Sequence, residues 1–227
     1  MSIKLVVFDM AGTTVKDDDG VAKAFQAALQ QYGYQVPLED INPIMGYEKN
    51  EAIRRMLRRS LAPDAITPEQ VANIHRAFVD RMLHYYRSAT DIAPLPHAEA
   101  TLQALRRQGI KVGINTGFSR NIAQAVIDKL DWERKAMFDY LVASDEVPQG
   151  RPHPFMVQRM MEAAGISNPL ETAKVGDTEV DVREGLAAGC RYVIAVTTGA
   201  FTRAALEPFG PTHIVDDIAE VLPIIAS

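Results

Sequence analysis

Carboxylates, a hydroxyl and one basic residue follow the chain's apolar runs in an order that suits phosphoryl transfer. Asp9 follows Leu5-Val6-Val7-Phe8 and begins Asp9-Met10-Ala11-Gly12-Thr13-Thr14. Asn115-Thr116-Gly117 follows a second run, Gly150-Arg151-Pro152 precedes a helical pattern, and Gly176-Asp177-Thr178-Glu179-Val180-Asp181 ends a later run. In open parallel sheets the ligand crevice lies beyond the carboxyl ends of the strands, so residues placed this way converge. The chemistry they offer is Asp9 as nucleophile, Asp9 and Asp177 as hard oxygen ligands of Mg²⁺, and Thr116 and Arg151 neutralising the transferring oxygens. Singly, each has a plainer role: an Asp ending a strand usually caps a helix, as does Thr116, and an Arg usually pairs on the surface. Four matches in the right order favour the joint role.

The elements that would position these residues are legible as short apolar runs at Ile3–Phe8, Lys111–Asn115, Tyr140–Ala143, Ala173–Gly176, Tyr192–Val196 and His213–Val215. Their unbroken apolar character suits strands buried on both faces of a parallel sheet. Helical patterns alternate with them: Ala98, Leu102 and Leu105 before Gly109, then Ile122, Val126 and Leu130, then Met156 and Met160 before Gly165. The expected fold is therefore α/β, a doubly wound, mostly parallel sheet.

The alternation fails between about Asp17 and Ile92, where amphipathic helices follow one another. Val21, Phe25, Leu29 and Tyr32 share a face and stop at Gly33; Ile53, Met56, Leu57 and Leu61 share another. Thr67-Pro68 with Gln70 forms a capping-box start for Val71, Ile74, Phe78, Met82 and Tyr85. The chain thus divides into an α/β core, 1–16 and 93–227, and an inserted all-helical cap domain, 17–92.

Composition excludes several classes. Of 227 residues, 47% are hydrophobic and 23% charged, with a mean hydropathy of −0.08, so disorder and fibrous structure are excluded. Lys+Arg 24 against Asp+Glu 29 leaves a net charge of −5, with no basic surplus for a nucleic-acid backbone or an anionic membrane. Cys190 is the sole cysteine, so no intrachain disulfide forms and a reducing, cytoplasmic setting is expected. Asp9 interrupts the first apolar stretch too early for a signal-peptide core or a spanning helix. Trp132, Cys190, Met56, Met82 and Met160 read as packing, and His75 and His84 as surface or satisfied histidines; His97 and His153, beside prolines, are weaker substrate-side candidates.

The order of these motifs resembles the haloacid dehalogenase superfamily: the opening at Asp9, the Thr after the second strand, a basic residue before Pro, and the closing pair Asp177 and Asp181. Two departures narrow the resemblance. The superfamily's phosphatases carry a second Asp two residues after the nucleophile, as general acid toward the leaving alcohol, where this chain has Ala11; and the basic residue, commonly Lys, is Arg151. Both departures resemble the phosphonatase branch, that of phosphonoacetaldehyde hydrolase, whose opening matches Ala11-Gly12-Thr13-Thr14. That branch's T-T-G-Y-T-R stretch is approximated by Asn115-Thr116-Gly117-Phe118-Ser119-Arg120, and its cap M-G-x-x-K segment by Met45-Gly46-Tyr47-Glu48-Lys49. Phe118 stands where the branch has Tyr, and Ala52 where it has His.

The resemblance implies a Mg²⁺-dependent hydrolase of the carbon–phosphorus bond of phosphonoacetaldehyde or a close analogue. Asp9, Lys49, Thr116, Arg151 and Asp181 would be catalytic, with Lys49 forming a Schiff base. Ala11, Met45, Gly46, Gly117 and Phe118 would surround the substrate, and Asp9, Ala11 and Asp177 the metal. It also implies a homodimer contacting through the caps. A carbon leaving group gains little from an acid at position 11, whereas an iminium at Lys49 accepts the electrons of the departing carbon. The alternative is a small-metabolite phosphate monoesterase resembling phosphoglycolate phosphatase.

Overall fold

The computed structural model describes residues 2–226 and orders six parallel strands as β3-β2-β1-β4-β5-β6. They are β1 (Leu5–Asp9), β2 (Lys111–Thr116), β3 (Tyr140–Ala143), β4 (Thr172–Gly176), β5 (Tyr192–Val196) and β6 (His213–Val215). The chain winds outward from β1 through β2 to β3, returns to β4 on β1's other side, and continues outward to β6. This is the doubly wound topology expected. Its switch point lies between β1 and β4, where strand order reverses and a crevice opens. Asp9 ends β1, opposite Asn115 of β2, and Gly176 ends β4, so Asp9 and Asp177 emerge side by side at that crevice.

Why these segments are strands is visible in their burial: every residue of β1 and β4 is buried, as a central strand covered on both faces requires. Helices α5 (Ala98–Arg107), α6 (Arg120–Leu130), α7 (Phe155–Ala163), α8 (Glu179–Ala187), α9 (Arg203–Leu206) and α10 (Val221–Ala226) connect or flank them. The remaining helices, α1 (Gly20–Gln31), α2 (Leu38–Ile41), α3 (Lys49–Leu57) and α4 (Pro68–Ser88), follow one another between β1 and α5 with no strand among them. No helix among the described residues is long and apolar enough to cross a membrane.

The α4 start is a complete capping box, Thr67 Oγ1 accepting from Gln70 N and Gln70 Oε1 from Thr67 N. Its apolar face, Val71, Ile74, Phe78 and Met82, is buried against α1, and α4 also packs on α6. Two expectations shift. Tyr86, not Tyr85, is the buried member of the last turn, because its ring meets Phe118 at 6.2 Å, edge to face, where α4 leans on the loop after β2. Leu61 falls outside α3, which ends at Leu57. α1 stops at Gln31, and Gly33 takes the left-handed φ of 86° that only glycine adopts cheaply.

Phe78 joins these layers, packing at 5.4 Å on Phe25 of α1 and at 6.5 Å on Phe118 in the loop after β2. Phe78→Ala should therefore destabilise the protein by about 3–5 kcal/mol in urea unfolding, the cost of an unrelieved aromatic cavity. A loss below about 1 kcal/mol would mean that the helices collapse onto the gap.

Candidate active site

A buried guanidinium organises the crevice. Arg151 donates from Nη2 to Asp9 Oδ1 at 2.6 Å and from Nη1 to Asp181 Oδ1, so it bridges the end of β1 to the first turn of α8. Asp181 also accepts from Lys174 Nζ at 2.8 Å and from Thr178 Oγ1 at 2.5 Å, which uses both its oxygens. Lys174 is fully buried within β4, donates to Asn115 Oδ1 at 3.1 Å and lies 3.6 Å from Glu184 Oε2; Asn115 in turn donates to that oxygen at 2.8 Å. Charges thus alternate inward from Asp9 through Arg151, Asp181 and Lys174 to Glu184. Burial by itself pushes Asp181 upward, but Arg151 and Lys174 hold it at about 2. Burial raises Asp9 above the ordinary carboxyl, with Arg151 opposing.

Asp177 is different. It is 1% exposed, accepts from Thr13 Oγ1 at 2.9 Å and from Ala200 N at 2.8 Å, and has no cation of its own among the described residues. Burial first, and then Asp9 and Asp181, push it well above the usual range. Gly12 makes room for it: a Cβ there would sit 2.7 Å from Asp177 Oδ2, on a backbone with φ 85°. Gly199 is closer still, and a Cβ there would strike the same carboxylate.

Ligand atoms of Asp9, Asp177 and Asp181 lie within 4.8 Å of one another. Asp181 is committed to two cations, Arg151 and Lys174, and stands outside the cavity wall, whereas Asp9 and Asp177 both line the cavity and are the carboxylates available there. Two hard carboxylates, one without a counter-charge, fit a divalent cation such as Mg²⁺. Ala11 can add only its main-chain carbonyl.

The other wall comes from the inserted helices. Glu48 caps α3, accepting from Asn50 N and Glu51 N, each at 2.9 Å, and Lys49 is the first residue of that helix. The preceding loop presses on the loops after β2 and β4: a Cβ on Gly117 would meet the carbonyl oxygens of Gly46 and Tyr47, each at 2.7 Å, and one on Gly46, whose φ is 86°, would strike Thr178 Oγ1. Only glycines allow this approach. Lys49 is therefore carried over the crevice and is 3% exposed; its Nζ stands 5.4 Å from the Phe118 ring centre and 5.9 Å from that of Phe78. Burial, helped by Arg151, lowers its amine to about 8.

One cavity of about 160 Å³ is lined by Asp9, Ala11, Met45, Gly46, Lys49, Thr116, Gly117, Phe118, Arg151 and Asp177, all of them expected from the sequence. Thr116 ends β2, and its Oγ1 accepts from Phe118 N at 3.1 Å. Asp181 stands behind Arg151 rather than in the wall. His97 is a correction: it is exposed and pairs with Asp217 at 2.6 Å, away from the cavity, because the Pro96–His97 turn starts α5 rather than facing the switch point. His153 is exposed and stacks on Phe155, in a neighbouring groove. Asp17 lines the cavity without having been singled out, and neither Lys174 nor Glu184 carried a motif. A lysine inside the apolar strand Thr172-Ala173-Lys174-Val175-Gly176 was the available signal, since a buried cation needs a buried partner.

Comparison with known proteins fits this geometry. A haloacid dehalogenase-like hydrolase profile matches residues 3–189. The chain is 29% identical over 255 residues to phosphonoacetaldehyde hydrolase of Bordetella pertussis, covering 99% of this chain and 91% of that one. It is 33% identical over 209 residues to the bifunctional phosphonoacetaldehyde hydrolase/aminoethylphosphonate transaminase of Clostridioides difficile, covering 87% of this chain but 32% of that longer protein. It is also 29% identical over 233 residues to the pyrophosphatase PpaX of Bacillus mycoides, covering 100% and 98%. Among solved structures, a phosphonoacetaldehyde hydrolase like protein from Oleispira antarctica superposes with a TM-score of 0.87 at 23% identity, covering 100% and 92%, which speaks to the fold.

The uncompensated Asp177 gives a direct test. Mg²⁺ should raise the melting temperature of the wild type, whereas Asp177→Asn, which relieves carboxylate repulsion, should melt no lower than the metal-free wild type and gain nothing from Mg²⁺. Equal Mg²⁺-induced shifts in both proteins would remove Asp177 from the metal site.

Proposed function

Because the chain belongs to the haloacid dehalogenase-like hydrolase family, we propose that it is a Mg²⁺-dependent hydrolase that cleaves the carbon–phosphorus bond of phosphonoacetaldehyde or a close analogue. The observation that carries this reading is a buried lysine of lowered pKa in the same small cavity as the Asp9 carboxylate. A phosphate ester has no use for such an amine; an aldehyde does.

The division of labour follows from position. Lys49 condenses with the aldehyde, water departs, and the iminium becomes the electron sink. Asp9 attacks phosphorus in line, the carbon–phosphorus bond breaks with its electron pair entering the sink, and the resulting enamine takes a proton from water. Phosphate is then released when water opens the aspartyl phosphate. Arg151 and Thr116 face the phosphoryl oxygens, and Arg151 keeps Nε without a protein partner among the described residues. Asp9 and Asp177 would hold Mg²⁺, whose charge offsets that of the phosphoryl group and lets an anionic nucleophile approach it. Asp181 positions Arg151. Met45, Gly46, Gly117 and Phe118 wall the cavity around the aldehyde end, and its size suits a substrate of few heavy atoms. We place residues 17–92 as a cap that completes this site and excludes water.

The monoesterase reading requires an acid near the leaving oxygen. At position 11, beside the nucleophile, the cavity presents a methyl group instead. One relative is named as a pyrophosphatase, so the mechanism must be tested at Lys49.

Borohydride added during turnover of phosphonoacetaldehyde should reduce the iminium to a secondary amine, with inactivation and a mass increase mapping to Lys49. Lys49→Arg should lose phosphonate cleavage, since a guanidinium does not condense with an aldehyde. Asp9→Asn should lose about 10³-fold or more in turnover while still labelling at Lys49. An unlabelled, active wild-type enzyme would overturn the carbon–phosphorus reading in favour of the monoesterase.

The pH dependence has a definite sign. Only the neutral amine adds to a carbonyl, so the rate of adduct formation should rise with pH to a plateau above about 8. With the amine at about 8, roughly a tenth is neutral at pH 7, against about one part in three thousand for an ordinary lysine. A rise that continues past pH 10 would show that Lys49 is an ordinary solvated amine.

A further inference from the structure

An imine at a buried lysine needs a proton carrier: one proton must reach the hydroxyl that leaves as water, and one must be taken up when water returns to the product iminium. Three carboxylates act on Lys49, those of Asp9, Glu48 and Asp17; Asp19 also touches the cavity but is exposed and is not among them. Two are otherwise engaged. Glu48 uses Oε1 on the main-chain and side-chain nitrogens of Asn50 and Oε2 on Glu51 N. Asp9 is held by Arg151 and faces phosphorus.

Asp17 remains. It lies on the link between Val15 and α1, in the wall of the cavity that holds Lys49 and Asp9. Its hydrogen-bond partners are main-chain N–H groups at the start of α1, Val21 N at 3.2 Å and that of Gly20, and no cationic side chain pairs with it among the described residues. Gly20 permits the approach, since a Cβ there would lie 3.2 Å from Asp17 Oδ1. Burial raises Asp17 above the ordinary carboxyl range, with the two amides opposing, so it retains a proton more readily than a surface Asp. Position 52, one turn along α3 from Lys49, is a buried alanine and carries no proton.

We propose that Asp17 is the acid–base residue of the Lys49 imine, an assignment that rests on the carbon–phosphorus reading above. Lys49 Nζ forms a bond to the aldehyde carbon, and a proton passes from nitrogen to oxygen to give the carbinolamine. The Asp17 carboxyl then protonates that hydroxyl; the carbon–oxygen bond breaks, water leaves, and an iminium and the Asp17 carboxylate remain. After phosphoryl transfer, water adds to the product iminium and gives its proton to Asp17. The new carbinolamine collapses to acetaldehyde and free Lys49, and the cycle closes with Asp17 protonated.

The test is the rate of borohydride trapping at Lys49 with phosphonoacetaldehyde, in the wild type, Asp17→Asn and Asp18→Asn. Asparagine still accepts the Val21 N–H, so Asp17→Asn should melt like the wild type but label Lys49 about 10²-fold more slowly or worse. Asp18, exposed and paired with Lys16 at 2.5 Å, does not line the cavity, and Asp18→Asn should label at the wild-type rate. Wild-type labelling of Asp17→Asn would overturn the assignment while leaving the carbon–phosphorus reading standing. A wild type that gives no Lys49 adduct at all overturns both.

Discussion

The Arg151 guanidinium, buried between Asp9 and Asp181, is the contact on which the site depends. Taking three charges out of water is costly, and it is tolerated only where each finds a partner. Arg151 finds two. Because Asp9 ends β1 and Asp181 belongs to α8, one side chain fixes the direction of the Asp9 carboxylate and locks the helix after β4 to the sheet. Lys174 supplies the second cation that this arrangement demands, and Asn115 and Glu184 complete its shell. Removing one member of such an array typically costs about 3–5 kcal/mol, since it strands a buried charge. The array leaves Asp177 without a cation, and a divalent ion held there would supply the missing charge.

The same logic explains Lys49. A lysine at a helix N-terminus already meets the positive end of the helix dipole, and burial against Phe118 and Phe78 adds to the penalty on its charged form. What puts it there is a contact between backbones, the Gly46–Tyr47 carbonyls against Gly117, which side chains would hold apart. Any relative motion of the inserted helices must break and remake that contact. Access to the cavity and the neutral state of the amine are therefore coupled: opening would hydrate Lys49 and restore its charge.

Much of this was readable in the chain. The six strands and their order of chemistry-bearing ends follow from apolar runs terminated by Asp, Thr and Gly, and ten residues named from motifs line one cavity. What was not readable has physical reasons. Tyr86 displaces Tyr85 because a tertiary neighbour, Phe118, decides which ring is covered. Periodicity cannot see that neighbour. His97 sits next to a proline as a crevice residue would, yet its left-handed backbone turns it toward Asp217. Asp17 lies within a run of three aspartates, Asp17-Asp18-Asp19, of which the first and third line the cavity, and nothing local sets Asp17 apart. Lys174 and Glu184 act through each other across 10 residues, a pairing that only the packing of α8 on β4 reveals.

The central claim is that carbon, not oxygen, leaves phosphorus in this cavity. Phosphate release from phosphonoacetaldehyde and from a simple phosphate monoester, each with Mg²⁺ and compared as kcat/KM on one preparation, tests it most directly. The roles proposed for Lys49 and Ala11 predict that the phosphonate is favoured, with acetaldehyde appearing in step with phosphate. Preference for the monoester, or phosphate released from the phosphonate without acetaldehyde, would contradict it.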